Sequence, residues 1–347
     1  MSIKNKIINK EYISLVFLVI STLIIIYSQF LFPIVISIII TYLINNLINF
    51  LSSYKIKKKI LFPIIYTTFI TAFLIILFIL IPMFFKQLIG LFNDLPFMIQ
   101  KIKLLTSKYM EKYPSMFSTE QTNLLFSNII AYVQSIGKTL ISASILSITI
   151  IIKWILYILL IPVFVFFLSK DHEKLLYWIK TLIPNKTKNL NTMWKIINKE
   201  LSNYIKGKMI EIIIMIITNY ILFRYYRLVY SDLLAFGVGL SAIIPYIGSV
   251  IISFPLILIA AVQFGMSNEL IYLISIYLLI QFIDGNLLVP ILFSETLNLH
   301  PIAIMISIII FGSLLGIYGM FFAIPFAICL KTILKLYLDN NNKNLQS

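Results

Sequence analysis

From Tyr12 to Tyr54 the chain runs 43 residues without one charged side chain, and from Leu228 to Leu330 it carries no lysine or arginine. A helix needs about 20 apolar residues to cross about 30 Å of hydrocarbon, so runs of this length constrain the fold before anything else does. Composition agrees with them. Of the 347 residues, 60% are apolar and 12% are charged, against about 45–50% and about 25% in soluble chains. A globule of this size has too little interior to hide so much apolar side chain from water, which excludes a soluble enzyme.

The charge balance is +15, from 28 Lys+Arg against 13 Asp+Glu. The cations do not form one patch but fall at 4–10, 55–59, 86–112, 170–208 and 331–343, between apolar runs. Lysines placed in this way meet anionic lipid headgroups, so membrane lipid is an expected partner and nucleic acid is not. The single cysteine, Cys329, has no internal disulfide partner. Lys4, Lys6 and Lys10 before an apolar run imitate a secretory signal. That run continues past signal length without a small-x-small cleavage site, so 1–27 reads as part of a retained first span.

The expectation is an all-α, polytopic helical membrane protein with about eight transmembrane helices. Pro33 is the natural break between spans at 13–32 and 34–53, and Ile60–Phe85 is the third. A fourth covers 145–168, and Met209–Phe223 is a short fifth. Leu233–Asn268, 270–293 and Thr296–Leu330 complete the set, each long tract counted once. The organisation follows as N-terminal spans in 1–85, an extracytoplasmic helical segment in 86–143, the fourth span in 144–169, a cytoplasmic amphipathic segment in 170–208, a C-terminal core in 209–338 and a tail in 339–347. Lysine placement puts both termini on the cytoplasmic side of the membrane that this multi-pass chain crosses. Segment 86–143 holds six lysines yet falls outside; it is near the length, about 60 residues, at which charge stops controlling translocation.

Both polar segments carry helical periodicity. In 86–143, Leu125, Ile129, Tyr132, Ile136 and Leu140 form a stripe. In 184–208 the stripe is Leu190, Trp194, Ile197, Leu201, Tyr204 and Lys208, opposite Lys188, Thr192, Lys195, Lys199 and Lys206. A cationic amphipathic helix of this kind lies on the inner leaflet or makes a regulatory or subunit contact, which leaves self-association open.

The last third differs in kind. Eight of the eleven glycines lie at or beyond Gly237. Leu233–Asn268 is interrupted at Ile244-Pro245-Tyr246-Ile247-Gly248, and Thr296–Leu330 at Gly312, Gly316 and Gly319 and again at Pro325. Each tract as one rod would run about 50 Å, so each reads as two half-helices around a bent or unwound centre. Unwound backbone at membrane depth is tolerated only where it is buried in protein or lines a wet cavity, and paired breaks of this kind mark transporter binding sites. Gly312-x3-Gly316 reads equally as close helix packing. Between the tracts lies Asp284, within Gln281-Phe-Ile-Asp-Gly-Asn286 and ahead of Pro290. A carboxylate there costs about 2.5–3.5 kcal/mol on insertion scales. It serves either cation or proton coupling, or a structural role in polar packing or in capping at a local break at Gly285-Asn286. Asp232, Glu269 and Glu295 read as interfacial. No Gly-rich phosphate loop, His-Glu-x-x-His or Gly-x-Ser-x-Gly motif occurs, so no cofactor, metal or enzymatic role is implied.

These motifs resemble the autoinducer-2 exporter family of bacterial permease-like proteins along essentially the whole chain. The resemblance rests on Ile244-Pro245-Tyr246-Ile247-Gly248, Gly285-Asn286-Leu287-Leu288-Val289-Pro290, Leu299-His300-Pro301, Gly312-x3-Gly316-x2-Gly319 and Ala323-Ile324-Pro325. Tyr204-Ile205-Lys206-Gly207 and Asp171 fit as well. Departures are Ala242 for a frequent asparagine, Ser294 and His172 for usual glycines, and Arg224–Tyr230 for a Gly/Pro turn. The resemblance implies export of a small polar solute such as autoinducer-2, with some members tied instead to sodium–proton antiport. A secondary transporter is therefore expected, its pathway drawn through Pro245, Gly248, Gln281, Asp284, Asn286, Pro290, Gly312, Gly316 and Gly319. The rivals are a membrane scaffold that organises partners without transport, a sodium–proton antiporter, and a selective channel.

Overall fold

The computed structural model describes residues 28–110, 124–135 except 125 and 133, 148–178 except 173 and 176, 188–293 and 300–345. Most of the expected first span, Leu125, Ile136 and Leu140 of the first stripe, and Glu295 fall outside them. Every regular element among the described residues is helical. In chain order they are α1 (Ser28–Ser52), α2 (Lys58–Ile75), α3 (Ile81–Met110), α4 (Ile148–Lys170), α5 (Lys188–Tyr225), α6 (Ser231–Ser241), α7 (Ile247–Phe264), α8 (Asn268–Ile283), α9 (Val289–Phe293), α10 (Pro301–Leu315) and α11 (Ile317–Leu345). Among the described residues, five apolar stretches are long enough to cross a membrane: Pro33–Ser52, Lys58–Leu104, Ile247–Phe264, Asn268–Phe293 and Ile317–Leu334. Shorter apolar helices are Ile155–Lys170, Ser231–Ser241 and Pro301–Leu315. Phe78, Val250, Phe254, Ile271 and Phe282 are each more than half exposed. Facing lipid they cost nothing; facing water they would form the kind of patch that soluble monomers avoid. This is a multi-pass membrane architecture.

Prolines break the helices less than expected. Pro33 does not divide two spans, because α1 begins before it and passes through it. Pro325 likewise lies inside α11. A proline costs one backbone hydrogen bond and crowds the carbonyl four residues back. In lipid that loss is smaller than the cost of unwinding, which would leave several backbone groups unpaired.

Two prolines are accommodated by another device. Ile76–Leu80 and Asp284–Leu288 are single π-helical turns, and each is followed by a hydrophobic residue and then proline, Ile81-Pro82 and Val289-Pro290. Each turn closes with a wider bond, Ile81 N–H to Ile76 O and Val289 N–H to Asp284 O. The extra residue per turn moves the crowded carbonyl away from the ring. Gly285-Asn286 is therefore no break. The helix continues from Asn268 to Phe293. The helix of the third span, similarly, does not stop at Phe85: an apolar helical stretch runs from Lys58 to Leu104, 47 residues or about 70 Å, more than the hydrocarbon thickness of about 30 Å.

The chain divides into two compact units. The first takes in residues 1–66, 156–206 and 295–347. Its buried side chains include Ile44 and Ile48 of α1, Val165 of α4, Tyr204 and Ile205 of α5, Ile308 of α10, and Phe322 and Ile328 of α11. The second takes in 67–155 and 207–294. Its core gathers Leu91 and Met98 of α3, Met215 and Phe223 of α5, Leu234 and Val238 of α6, Leu256 and Ile259 of α7, and Leu273 and Tyr277 of α8.

Each unit contains one of the two interrupted tracts, and both fold back on themselves. In the second unit α6 and α7 pack antiparallel. A Cβ at Gly248 would stand 1.9 Å from Ser241 O, and one at Gly237 would stand 2.7 Å from the Ile252 side chain. In the first unit α10 and α11 meet at Gly316. The Phe311 and Phe326 rings lie 4.9 Å apart, where a straight helix would separate those residues by about 22 Å. Neither tract is a kinked rod.

Candidate functional site

The second half of α5 builds the polar centre of the second unit. The stripe that contains Tyr204 continues to Lys208, so this lysine points inward with the apolar residues, and Glu211, three positions on, shares the face. Their side chains are only 10% and 3% exposed. Lys208 Nζ donates to both carboxylate oxygens of Glu211 at 2.8 Å and sits 5.5 Å from the centre of the Phe293 ring. Farther along, Asn219 is fully buried, and its amide donates to Met215 O at 2.8 Å while its carbonyl oxygen has no partner.

α8 supplies the other half. Tyr277, Gln281 and Asp284 follow one another at four and three residues, on one face. Tyr277 is fully buried and shares a 2.7 Å hydrogen bond with Ser253 of α7. Gln281 Nε2 and Asp284 Oδ1 are buried without a hydrogen-bond partner. Asp284 lies close enough to Lys208 and Glu211 to interact with both electrostatically. Lys208 is thus paired with Glu211, and one oxygen of the neighbouring Asp284 is unsatisfied. Buried polar groups are nearly always paired, and a lone buried carboxylate is costly. With both carboxylates ionised, Lys208, Glu211 and Asp284 together carry one net negative charge.

The expected site residues distribute as follows. Gln281 and Asp284 come together on the buried face of α8. Asn286 and Pro290 are exposed, and the Asn286 amide donates to Phe282 O of its own helix at 2.9 Å. Pro245 stands half-buried at the α6–α7 turn, and Gly248 is buried just beyond it. Gly312, Gly316 and Gly319 belong to the first unit. There Gly312 faces the Met320 side chain, Gly316 makes the turn, and a Cβ on Gly319 would stand 1.7 Å from Phe311 O. Asp284 Oδ1 makes no hydrogen bond to its own backbone.

Sequence reading missed Lys208, Glu211, Tyr277 and Ser253 as site residues. One signal was available: Lys208 interrupts an otherwise apolar stripe, and Glu211 follows at salt-bridge spacing. Asp232 is more than an interfacial charge. It accepts from Arg224 at 2.8 Å and from Gln87 Nε2 at 2.9 Å, while Gln87 Oε1 accepts from Leu233 N–H at 3.0 Å. Asp232 holds the Arg224 guanidinium above its usual pKa. The adjacent Tyr230 hydroxyl donates to Asp94. Partial burial and that hydrogen bond push the phenol up to about 12.

Residues 12–339 match the profile of the family described as AI-2E family transporter. PerM of Escherichia coli (strain K12), which bears the name of a permease, is 34% identical over 262 residues, covering 76% of this chain and 74% of its own. YrrI of Bacillus subtilis (strain 168), named as a transport protein, is 30% identical over 179 residues, 51% of this chain and 50% of its own. The AI-2 transport protein TqsA of Escherichia coli (strain K12) is 37% identical over 103 residues, 30% of this chain and 29% of its own.

Proposed function

The chain belongs to the AI-2E transporter family, and on that premise we propose that it is a secondary transporter exporting a small polar solute, autoinducer-2-like in size and polarity, from a bacterial cell. Its setting is the cytoplasmic membrane, with both termini on the cytoplasmic side. Asp284 takes up and releases a proton or cation beside the Lys208–Glu211 pair, and this exchange couples solute movement to an ion gradient. The α6–α7 hairpin, with Pro245 and Gly248 at its turn, borders that exchange. The solute and ion together are the partners; no cofactor takes part.

The observation that carries the reading is the unpartnered Asp284 oxygen beside a buried lysine–carboxylate pair. Structural charges in lipid are fully paired as a rule, whereas coupling charges must change partners. Sodium–proton exchange uses the same carboxylate with no organic solute, and it is the alternative that this site favours over a scaffold.

Reconstitution in liposomes under imposed proton and sodium gradients tests the proposal. Asp284→Asn keeps the shape of the side chain and removes its titration. It is expected to insert normally and to lose at least 90% of gradient-driven flux, on the order of the tenfold effects that single coupling groups carry. Wild-type flux in Asp284→Asn would end the coupling role. Flux of sodium and protons alone would select the antiport reading.

A further inference from the structure

Beyond Asp284 itself, α7 and α8 hold a line of polar side chains whose hydrogens point one way. The two helices are joined by the short loop at 265–267 and run antiparallel. This sets Ser249 and Ser253 of α7 against the face of α8 that carries Tyr277, Gln281 and Asp284, all within the second unit. Ser253 has one hydroxyl proton, and it goes to Ser249 O at 2.6 Å. The 2.7 Å bond between Ser253 and Tyr277 is therefore donated by Tyr277, which leaves the phenol oxygen able to accept. Ser249 in turn donates to Tyr246 O at 3.1 Å, so the line ends at the tip of the α6–α7 hairpin.

Side chains on a helix lean toward the turn before them. Asp284 therefore leans over Gln281, and Gln281 over Tyr277. The Gln281 amide approaches the Tyr277 hydroxyl as a donor, but its Nε2 completes no hydrogen bond, and Asp284 Oδ1 is likewise unpartnered. An orphan donor thus stands between two acceptors on adjacent turns of one helix. Both orphan atoms are buried, and neither needs a molecule from outside: a change of glutamine rotamer serves either acceptor. A hydrogen bond to an ionised group is about twice as strong as a neutral one, so the charge on Asp284 decides the direction. An ionised carboxylate draws the amide. A protonated one releases it to the phenol, whose own donation to Ser253 strengthens it as an acceptor.

We propose that Gln281 is a two-position switch, donating to Asp284 when that carboxylate is ionised and to the Tyr277 hydroxyl when it is protonated, and that the Tyr277–Ser253 bond passes this choice to the first turns of α7. Gln281 and Tyr277 are then positioning residues, acting through Asp284 rather than on the solute. The inference rests on the reading of Asp284 as the coupling group.

The full-length chain in lipid nanodiscs is titrated in the infrared, with the protonated-carboxyl band of Asp284 taken as the difference from Asp284→Asn. Lys208 and Glu211 of α5, the charged groups that act on Asp284, stay in every variant. Gln281→Leu removes the donor that favours the ionised form, so Asp284 should hold its proton about tenfold more tightly. Tyr277→Phe removes the competing acceptor and should loosen the proton instead, by a smaller factor. Ser253→Ala should follow Tyr277→Phe in direction, and Ser253→Thr should restore the wild-type midpoint. Gln281→Leu with Tyr277→Phe should match Gln281→Leu alone, since Tyr277 acts only through Gln281. A purely structural role of these side chains does not move the midpoint in opposite senses. Unchanged midpoints, shifts of one sign, or a double variant that adds the single effects overturn the inference and leave the coupling reading intact. An Asp284 that never titrates defeats both. If Tyr277→Phe fails to insert, Ser253→Ala decides the sign, and a midpoint equal to wild type there overturns the inference.

Discussion

The two helical hairpins solve one geometric problem in different ways. Both fold an apolar tract back on itself, and in both a glycine lies against a carbonyl of the preceding helix, Gly248 against Ser241 and Gly319 against Phe311. They differ at the tip. α10 and α11 are joined by Gly316 alone, at φ 63° and ψ −144°, a region open only to glycine. The α6–α7 tip uses residues 242–246 and ends on Tyr246 at φ 64° and ψ −52°, with Ile247 N–H donating to Pro245 O at 2.7 Å. That is a tight γ-turn, strained for any residue with a Cβ. The strained tip belongs to the unit that also buries Lys208, Glu211 and one oxygen of Asp284, whereas the relaxed tip belongs to the unit whose hairpin is packed by phenylalanine rings. Departures from local rules gather where function is placed.

The contrast in buried charge should give the largest effect. Lys208→Met strands Glu211 and is expected to cost about 3–5 kcal/mol, whereas Lys208→Met with Glu211→Leu should recover most of it. In the first unit Lys331 meets Glu200 only at 4.0 Å and both are partly exposed, so Lys331→Met should cost less than about 1 kcal/mol. Thermal unfolding in detergent measures all three; equal losses for the two lysines would erase the contrast.

Next come the shared contacts. Gly248→Ala and Gly319→Ala each drive a methyl into a backbone carbonyl and should each cost about 3 kcal/mol. A tolerated alanine at one site only would mean that the two hairpins are not equivalent in packing. The tips should then diverge in sign. Gly316→Ala meets no neighbouring atom, so its expected loss of about 1–3 kcal/mol is purely conformational, while Tyr246→Gly should stabilise by a similar amount. Stabilisation without loss of flux in Tyr246→Gly would detach the strain from transport.

The smallest effect is at Tyr230, whose bond to Asp94 ties the α5–α6 loop to α3. Tyr230→Phe should cost about 0.5–1 kcal/mol. Because the folded phenol is pushed up to about 12, above its ordinary value near 10, the contribution is complete below pH about 10 and is lost as pH rises through 12. Wild type and variant should therefore converge in thermal stability at the alkaline end.

Much of this is legible in the sequence. The apolar runs, the amphipathic stripe from Trp194 to Lys208, and the interruptions at Pro245 and Gly316 all follow from side-chain character summed along one segment. The errors have one source. Sequence rules make proline a helix breaker at positions 33 and 325, and Gly285-Asn286 a break, because in water an unwound turn costs little. In lipid the helix is kept, either by absorbing the proline directly or by widening one turn ahead of it. Lys208 and Glu211 were passed over because their burial depends on the contacts around α5, including the Phe293 ring about 85 residues away in the chain.

The sequence by itself determined that this chain enters a membrane, that it is helical, and where its backbone must turn. Partition into lipid and a glycine's freedom of φ are properties of single residues and short windows. Only the tertiary structure decided that each interrupted tract is a hairpin, that Asn286 turns away while Gln281 and Asp284 turn inward, and that Lys208 pairs with Glu211 inside the second unit. Those outcomes depend on which distant helix occupies each face, and packing of that kind is a property of pairs of segments that no single segment contains.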